Sequence, residues 1–187
     1  ELFDPLGMND TDFYVPEEKQ SRLAAVYATA VGKTVRYSEN HLGIANRGRT
    51  LPNFLSGGAG LFSTIDDYGR FAKMLLNGGT SSGRRYLSER VLKFFTSGSQ
   101  YPSVYREIVL KYEWMSGYNY GNLMRCCEEP DKAAMLSNRG EYGWDGWLGS
   151  VFINDPLTRT TLLLMMQQTD AGFNSCARRI KNLLWRE

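Results

Sequence analysis

The spacing of apolar side chains changes along this chain, and each change marks a different kind of element. Tyr68, Phe71, Ala72, Leu75 and Leu76 recur at i, i+3, i+4, i+7 and i+8, which predicts one amphipathic helix. Ser63 or Thr64 is placed to cap it, and Asp66 or Asp67 falls in the capping-box position at the positive end of the helix dipole. Asn77-Gly78-Gly79 ends it. A second, shorter helix is predicted after Ser88, carrying Val91, Leu92, Phe94 and Phe95 before Gly98. Residues 1–8 read as the last turn of a helix closed by Pro5 and Gly7, so the chain is expected to be a piece of a longer one. Residues 9–22 are polar and turn-rich, 23–50 predict no long element, and 100–118 are aromatic and irregular.

From about Tyr118 the period falls to two. Tyr120, Asn122 and Met124 alternate with Gly121, Leu123 and Arg125 as one strand, and Glu128–Asp131 turns the chain. A glycine- and aromatic-rich strand follows, running from Gly140 into the apolar Val151-Phe152-Ile153-Asn154 and ending at Asp155-Pro156. Thr160–Gln167 is apolar on both faces, hence a strand that is central or covered by a helix. A last helix starts at Asn174 or Ser175, with Cys176, Ile180, Leu183 and Leu184 on its buried side and Arg178, Arg179 and Lys181 on the rest. The fold class predicted is α+β: a helical segment, then an antiparallel sheet meander and a C-terminal helix. Residues 1–117 form the mainly helical and loop part of one domain, and 118–187 its strands and terminal helix.

Bulk properties narrow the function. The 22 Lys and Arg against 20 Asp and Glu are scattered, which disfavours a nucleic-acid partner. The longest apolar run, Leu162–Met166, is too short for a transmembrane segment. Cys126, Cys127 and Cys176 make neither a metal-ligand spacing nor an even disulfide framework; free thiols lean toward a cytoplasmic address, with periplasmic or secreted export open if a leader lies upstream. No cofactor or metal is expected.

Gly140–Ser150 holds four glycines and three large aromatics in eleven residues. Two readings stand. Either the glycines only relieve crowding in a twisted hairpin strand, or they let something approach the backbone closely, making this the wall of a site. In the second reading Trp144-Asp145-Gly146 directs the Trp147 backbone N–H at a reacting carbonyl oxygen, as an oxyanion hole requires. A nucleophile is harder to find. Gly79-Thr80-Ser81-Ser82-Gly83 matches G-x-S-x-G by letters, but a helix rather than a strand precedes it, so a surface turn is expected. No serine has Lys three places on, and Tyr120-Gly121-Asn122 therefore has nothing to assist. His41, the sole histidine, is expected to be simply solvated. Ser56–Leu61 lacks the Gly-Lys-Ser/Thr ending of a phosphate loop and reads as a tight turn.

Leu2–Met8, Ser56–Thr64 with Asp66-Asp67-Tyr68 and Phe71, Leu75–Gly79, and Gly140–Trp144 through Asp155-Pro156 together resemble the C-terminal half of the serine β-lactamase-related family, the group of class C β-lactamases, penicillin-binding proteins and family VIII esterases. The resemblance implies a β-lactamase/transpeptidase-like fold and acyl transfer through a serine ester on esters, β-lactams or D-amino-acid peptides, the partner being a small-molecule ester or amide. It implies that Ser-x-x-Lys and Tyr-x-Asn precede Glu1, leaving this chain without nucleophile or base and inactive alone. It places Trp144, Asp145 and Gly146 at the substrate and makes the Trp147 N–H one of two oxyanion donors. Tryptophan where Lys or His is common points to the esterase branch. Asp145 departs from the small or hydroxyl residue usual there, and a carboxylate beside an oxyanion opposes its charge unless it turns away or is paired. The other function open to such a chain is a non-catalytic binding or scaffold module. Three strands without their family neighbours should leave an edge or apolar face that favours a homodimer, strand exchange or association with the missing N-terminal half.

Overall fold

The computed structural model describes residues 2–46, 48–98 and 110–186, with side chains omitted at 45, 46 and 113. Most of the stretch expected to be irregular and aromatic, 100–118, lies outside the described residues.

The centre is a five-stranded antiparallel meander: β5 (Tyr118–Tyr120), β6 (Arg125–Cys127), β7 (Tyr142–Asp145), β8 (Val151–Asp155) and β9 (Thr160–Leu164), in that spatial order. Before it come α1 (Phe3–Leu6), the hairpin β1 (Tyr27–Ala30) and β2 (Lys33–Arg36), α2 (Ile65–Leu76), the two-residue strands β3 (Thr80–Ser81) and β4 (Arg84–Arg85), and α3 (Glu89–Thr96); α4 (Ser175–Leu184) closes the chain. Alternation along β8 divides the core. Phe152 faces α2, joining Ala72, Met74, Leu75 and Tyr142, whereas Val151 and Ile153 face α4, joining Leu162 and Ala177. The buried Asn154 is satisfied on the α2 side: its amide donates to Ala72 O at 2.8 Å and its oxygen accepts from Thr161 Oγ1 at 2.7 Å.

The predicted starts of the helices hold because the capping side chains reach back as expected. Thr64 Oγ1 accepts from Asp67 N in α2, Ser88 Oγ from Val91 N in α3, and Asn174 Oδ1 from Ala177 N in α4. Asp67 does more than shape the first turn: buried, it accepts from Asp10 N at 2.7 Å, from Thr11 Oγ1 and from Arg70, tying the N-terminal segment to α2.

Four expectations are corrected. The single strand read through Tyr118–Arg125 is a hairpin, closed by Gly121 N donating to Met124 O with Leu123 at φ 76°. The single strand from Gly140 to Asn154 is likewise β7, a turn at Gly146–Gly149, and β8. The meander thus has five strands rather than three, because short hairpins keep the same alternation on both arms. β9 stops at Leu164 and lies at the sheet edge, covered by helices but not central. The buried face of α4 is Ala177, Ile180 and Lys181; Cys176, Leu183 and Leu184 are exposed. A buried lysine turns that helix by about one residue from the position hydrophobicity alone selects. The helical part also contains β1–β2 and β3–β4, too short for periodicity to reveal.

Candidate active site

Gly140 and Glu141 together oppose Cys127, with Gly140 at φ 88°: Cys127 N donates to Glu141 O, and Gly140 N to Cys127 O. This is a bulge whose first residue must adopt left-handed backbone, which is why glycine stands there. Beyond it β7 is held tightly against β8. A Cβ on Gly143 would meet Phe152 O at 2.0 Å, so that glycine answers crowding within the sheet. Gly146 differs: a Cβ there would find nothing nearer than Ser150 O at 3.9 Å. Crowding within the sheet thus accounts for Gly143 but not for Gly146.

Pairing between β6 and β7 covers only Arg125↔Gly143 and Cys126↔Tyr142, while β7 and β8 stay paired to Asp145↔Val151. From Trp144 onward no strand among the described residues pairs with the β6 side of β7. Cys127 N bonds to Glu141 O, and Gly146 N to Ser150 O, so odd-numbered backbone groups of β7 face the β6 side and even-numbered ones face β8. Trp147 lies beyond that alternation, in the turn that Gly149 N closes by donating to Gly146 O. Among the described residues its N–H has no hydrogen-bond acceptor. The turn that carries it is braced from behind, Trp147 O accepting from Ala171 N and Leu148 O from Gln168 N.

The Trp147 indole is fixed as well. Its Nε1 donates to Asp170 Oδ1 at 2.7 Å, and Tyr37 and His41 stand edge-on to the ring at 5.9 and 4.7 Å. His41, expected to be merely solvated, is exposed but packed on this tryptophan; no local spacing signals it, because the approach depends on the β1–β2 hairpin. That hairpin is joined to the sheet by Tyr27, whose N–H donates to Gln167 O and whose C=O accepts from Thr169 N, both at 2.8 Å. On the other side of Gly146, Trp144 is flanked by Tyr120 at 5.2 Å and Trp114 at 6.2 Å, edge to face.

Asp145 is paired. Its carboxylate lies 2.9 Å from Arg125, which is only 2% exposed and has the rings of Phe173, Tyr118 and Trp114 at 4.6, 5.3 and 5.7 Å from its guanidinium carbon. A second ion pair lies deeper. Lys181 Nζ is 2.9 Å from Glu141 Oε2, with hydrogen bonds to Leu136 O and Ser137 Oγ, while Tyr118 OH donates to Glu141 Oε1. Burial pushes the Glu141 carboxyl above its ordinary range and the Lys181 ammonium below its own, each partly countered by the other's charge. Burial likewise raises the Tyr118 phenol and pushes the Cys126 and Cys127 thiols up to about 12.

The sequence matches the beta-lactamase family over residues 1–184. The chain belongs to that family. Protein Rv1367c of Mycobacterium tuberculosis (strain ATCC 25618 / H37Rv) is 31% identical over 166 residues, covering 87% of this chain and 40% of that protein. Among solved structures, EstCE1, a hydrolase with promiscuous acyltransferase activity, superimposes with a TM-score of 0.80 at 17% identity, covering 98% of this chain and 48% of that one. The LovD6 mutant of simvastatin synthase from Aspergillus terreus gives 0.77 at 15% identity, covering 99% and 47%. The present chain thus spans less than half the length of each of these proteins.

Of the residues singled out in the sequence, Trp144, Asp145, Gly146 and Trp147 lie together at the free end of the β7–β8 hairpin. Ser81 of the G-x-S-x-G match sits in the β3–β4 hairpin, whose turn has Ser82 at φ 48° and Gly83 at φ 77°, the surface turn expected. The reading missed Arg125, Glu141 and Lys181. Among the described residues no group of three or more His, Cys, Asp or Glu side chains is placed to hold a metal ion, and no helix is long and apolar enough to cross a membrane.

Proposed function

We propose that this chain is the C-terminal portion of a serine hydrolase of the β-lactamase/esterase type, acting by acyl transfer on small esters or amides, with esters favoured. The observation that carries the reading is the Trp147 N–H, without an acceptor among the described residues, in the turn that follows β7 and beside a Gly146 at which a Cβ would meet nothing nearer than Ser150 O at 3.9 Å. A backbone donor left without a partner inside the protein is what a developing oxyanion requires. Trp144 bounds the acyl group, and Asp145 directs its charge into Arg125 rather than toward the oxyanion. The ester preference draws on the likeness in fold to a family VIII carboxylesterase, with a TM-score of 0.63 at 16% identity. The nucleophile and its lysine come from sequence preceding Glu1.

The test uses the longer polypeptide and the 187-residue chain side by side. The longer one is expected to hydrolyse p-nitrophenyl butyrate faster than a chromogenic penicillin. The shorter one is expected to show neither turnover nor an acyl adduct by mass. Gly146→Val in the longer polypeptide should fold normally and lose about a hundredfold in kcat/KM, since displacement of a substrate by about 1 Å suffices for that. An acyl-serine burst on the shorter chain, or an upstream segment without Ser-x-x-Lys, would overturn the reading; the second result would leave a binding module.

A further inference from the structure

The side of Trp144 away from Trp147 is more elaborate than the proposed reaction needs. Trp144 and Trp114 are 36% and 37% exposed and Tyr112 43%, far more than core aromatics. Tyr120 and Trp114 meet Trp144 at interplanar angles of 67° and 71°, and Tyr112 lies 5.6 Å from Trp114. Three of the rings meet edge to face around Trp144 at the end of β7, and Tyr112 adds a ring tilted by 35° to Trp114. From this geometry we infer that the Trp144–Trp114–Tyr120 cluster is a seat for an uncharged aromatic acyl group, so that the preferred substrates are aryl-substituted esters or amides rather than acetyl or other short ones.

Two features favour that occupant. Rings already set edge to face offer a further ring the same contact, worth roughly two- to tenfold in affinity per partner beyond the apolar area buried. A cation is disfavoured although tryptophan faces attract cations, because the Arg125 guanidinium is already 5.7 Å from the Trp114 ring. An anion gains little from Arg125, which is buried and already paired to Asp145. The naming of this seat as an acyl pocket rests on the acyl-transfer reading of Trp144–Trp147; its preference for rings rests on the cluster alone.

The experiment is ligand-detected NMR titration of the 187-residue chain with phenylacetamide, cyclohexylacetamide, acetamide and phenyltrimethylammonium. Phenylacetamide should bind at least about fivefold more tightly than cyclohexylacetamide, with acetamide and the cation weaker still. Trp144→Phe should keep the preference, Trp144→Leu and Trp114→Leu should abolish it, and Phe54→Ala, at a remote exposed ring, should change nothing. Both tryptophans are partly exposed, and circular dichroism of each variant separates lost binding from lost folding. Equal binding of the cyclohexyl and phenyl amides, tighter binding of the cation, a preference surviving in Trp114→Leu and Trp144→Leu, or no binding at the solubility limit would each overturn the assignment. An active longer polypeptide with equal kcat/KM on acetyl and phenylacetyl esters overturns it while leaving acyl transfer standing. Ring-selective binding in a protein without Ser-x-x-Lys upstream overturns the acyl-pocket naming and acyl transfer together.

Discussion

Replacing Asp145 by asparagine keeps the shape of the side chain and removes its charge. The partner left behind, Arg125, is 2% exposed, so water cannot take over the lost countercharge. Its three ring contacts are present before and after the change and cancel from the difference. Breaking a buried pair from one side costs about 3–5 kcal/mol, and because Asp145 itself is 15% exposed the lower end applies, about 3 kcal/mol. In a chain of 187 residues each kcal/mol moves the melting temperature by about 2–4 °C, so Asp145→Asn should melt about 6–12 °C below the parent. Differential scanning calorimetry reads this directly. The gap should persist from low to high salt, since screening acts weakly on a buried pair, and Arg125→Met combined with Asp145→Ser should recover much of it. A single variant melting within about 2 °C of the parent, or a double variant no better than the single one, would refute the idea that this aspartate is present to neutralise Arg125.

Gly143→Ala should destabilise by roughly 1–3 kcal/mol or prevent folding, because its Cβ would press on Phe152 O, a backbone atom that cannot swing aside; a denaturant midpoint equal to the parent's would contradict this. Lys181→Met should cost about 3–5 kcal/mol at neutral pH, and the variant should regain more stability than the parent as pH falls toward the carboxylate range. Glu141, its folded pKa already raised, then binds a proton more readily folded than unfolded, so its contribution is largest below its unfolded pKa and is lost as pH rises. A pH-independent loss would count against that linkage. Only Cys176 should react with a thiol reagent at pH 8 in the native protein, and all three cysteines after denaturation. For the same reason stability should fall above pH 9: each of Cys126 and Cys127, raised to about 12, favours the protonated folded form, which costs about 1.4 kcal/mol per pH unit per group through that window. Alkaline melting temperatures that stay flat to pH 11 would exclude it.

The helix starts were legible because Thr64, Ser88 and Asn174 act locally, each on an amide three residues away. The hairpin end proposed as the wall of a site was legible for a similar reason: Trp144, Asp145, Gly146 and Trp147 are contiguous. What escaped depends on partners far apart in sequence. Lys181 reads as solvent-facing because its charge does, and only Glu141, reached through the fold, makes its burial tolerable. Strand number escaped because Gly121–Met124 and Gly146–Gly149 reverse the chain without interrupting the two-residue alternation on which strand prediction relies. His41 escaped because its neighbour Trp147 lies more than a hundred positions away.

The Tyr27 junction sets how the rim around Trp147 should open. The β1–β2 hairpin is mostly exposed, and two backbone hydrogen bonds from Tyr27, with Gln168 reaching Thr29 Oγ1 at 3.0 Å, form its recorded polar links to the segment after β9. An exposed two-stranded hairpin opens locally at a fraction of the free energy needed to melt the sheet. Tyr37 follows β2 directly and stands on the indole, so such opening would be sensed at Trp147, which its bond to Asp170 holds in place.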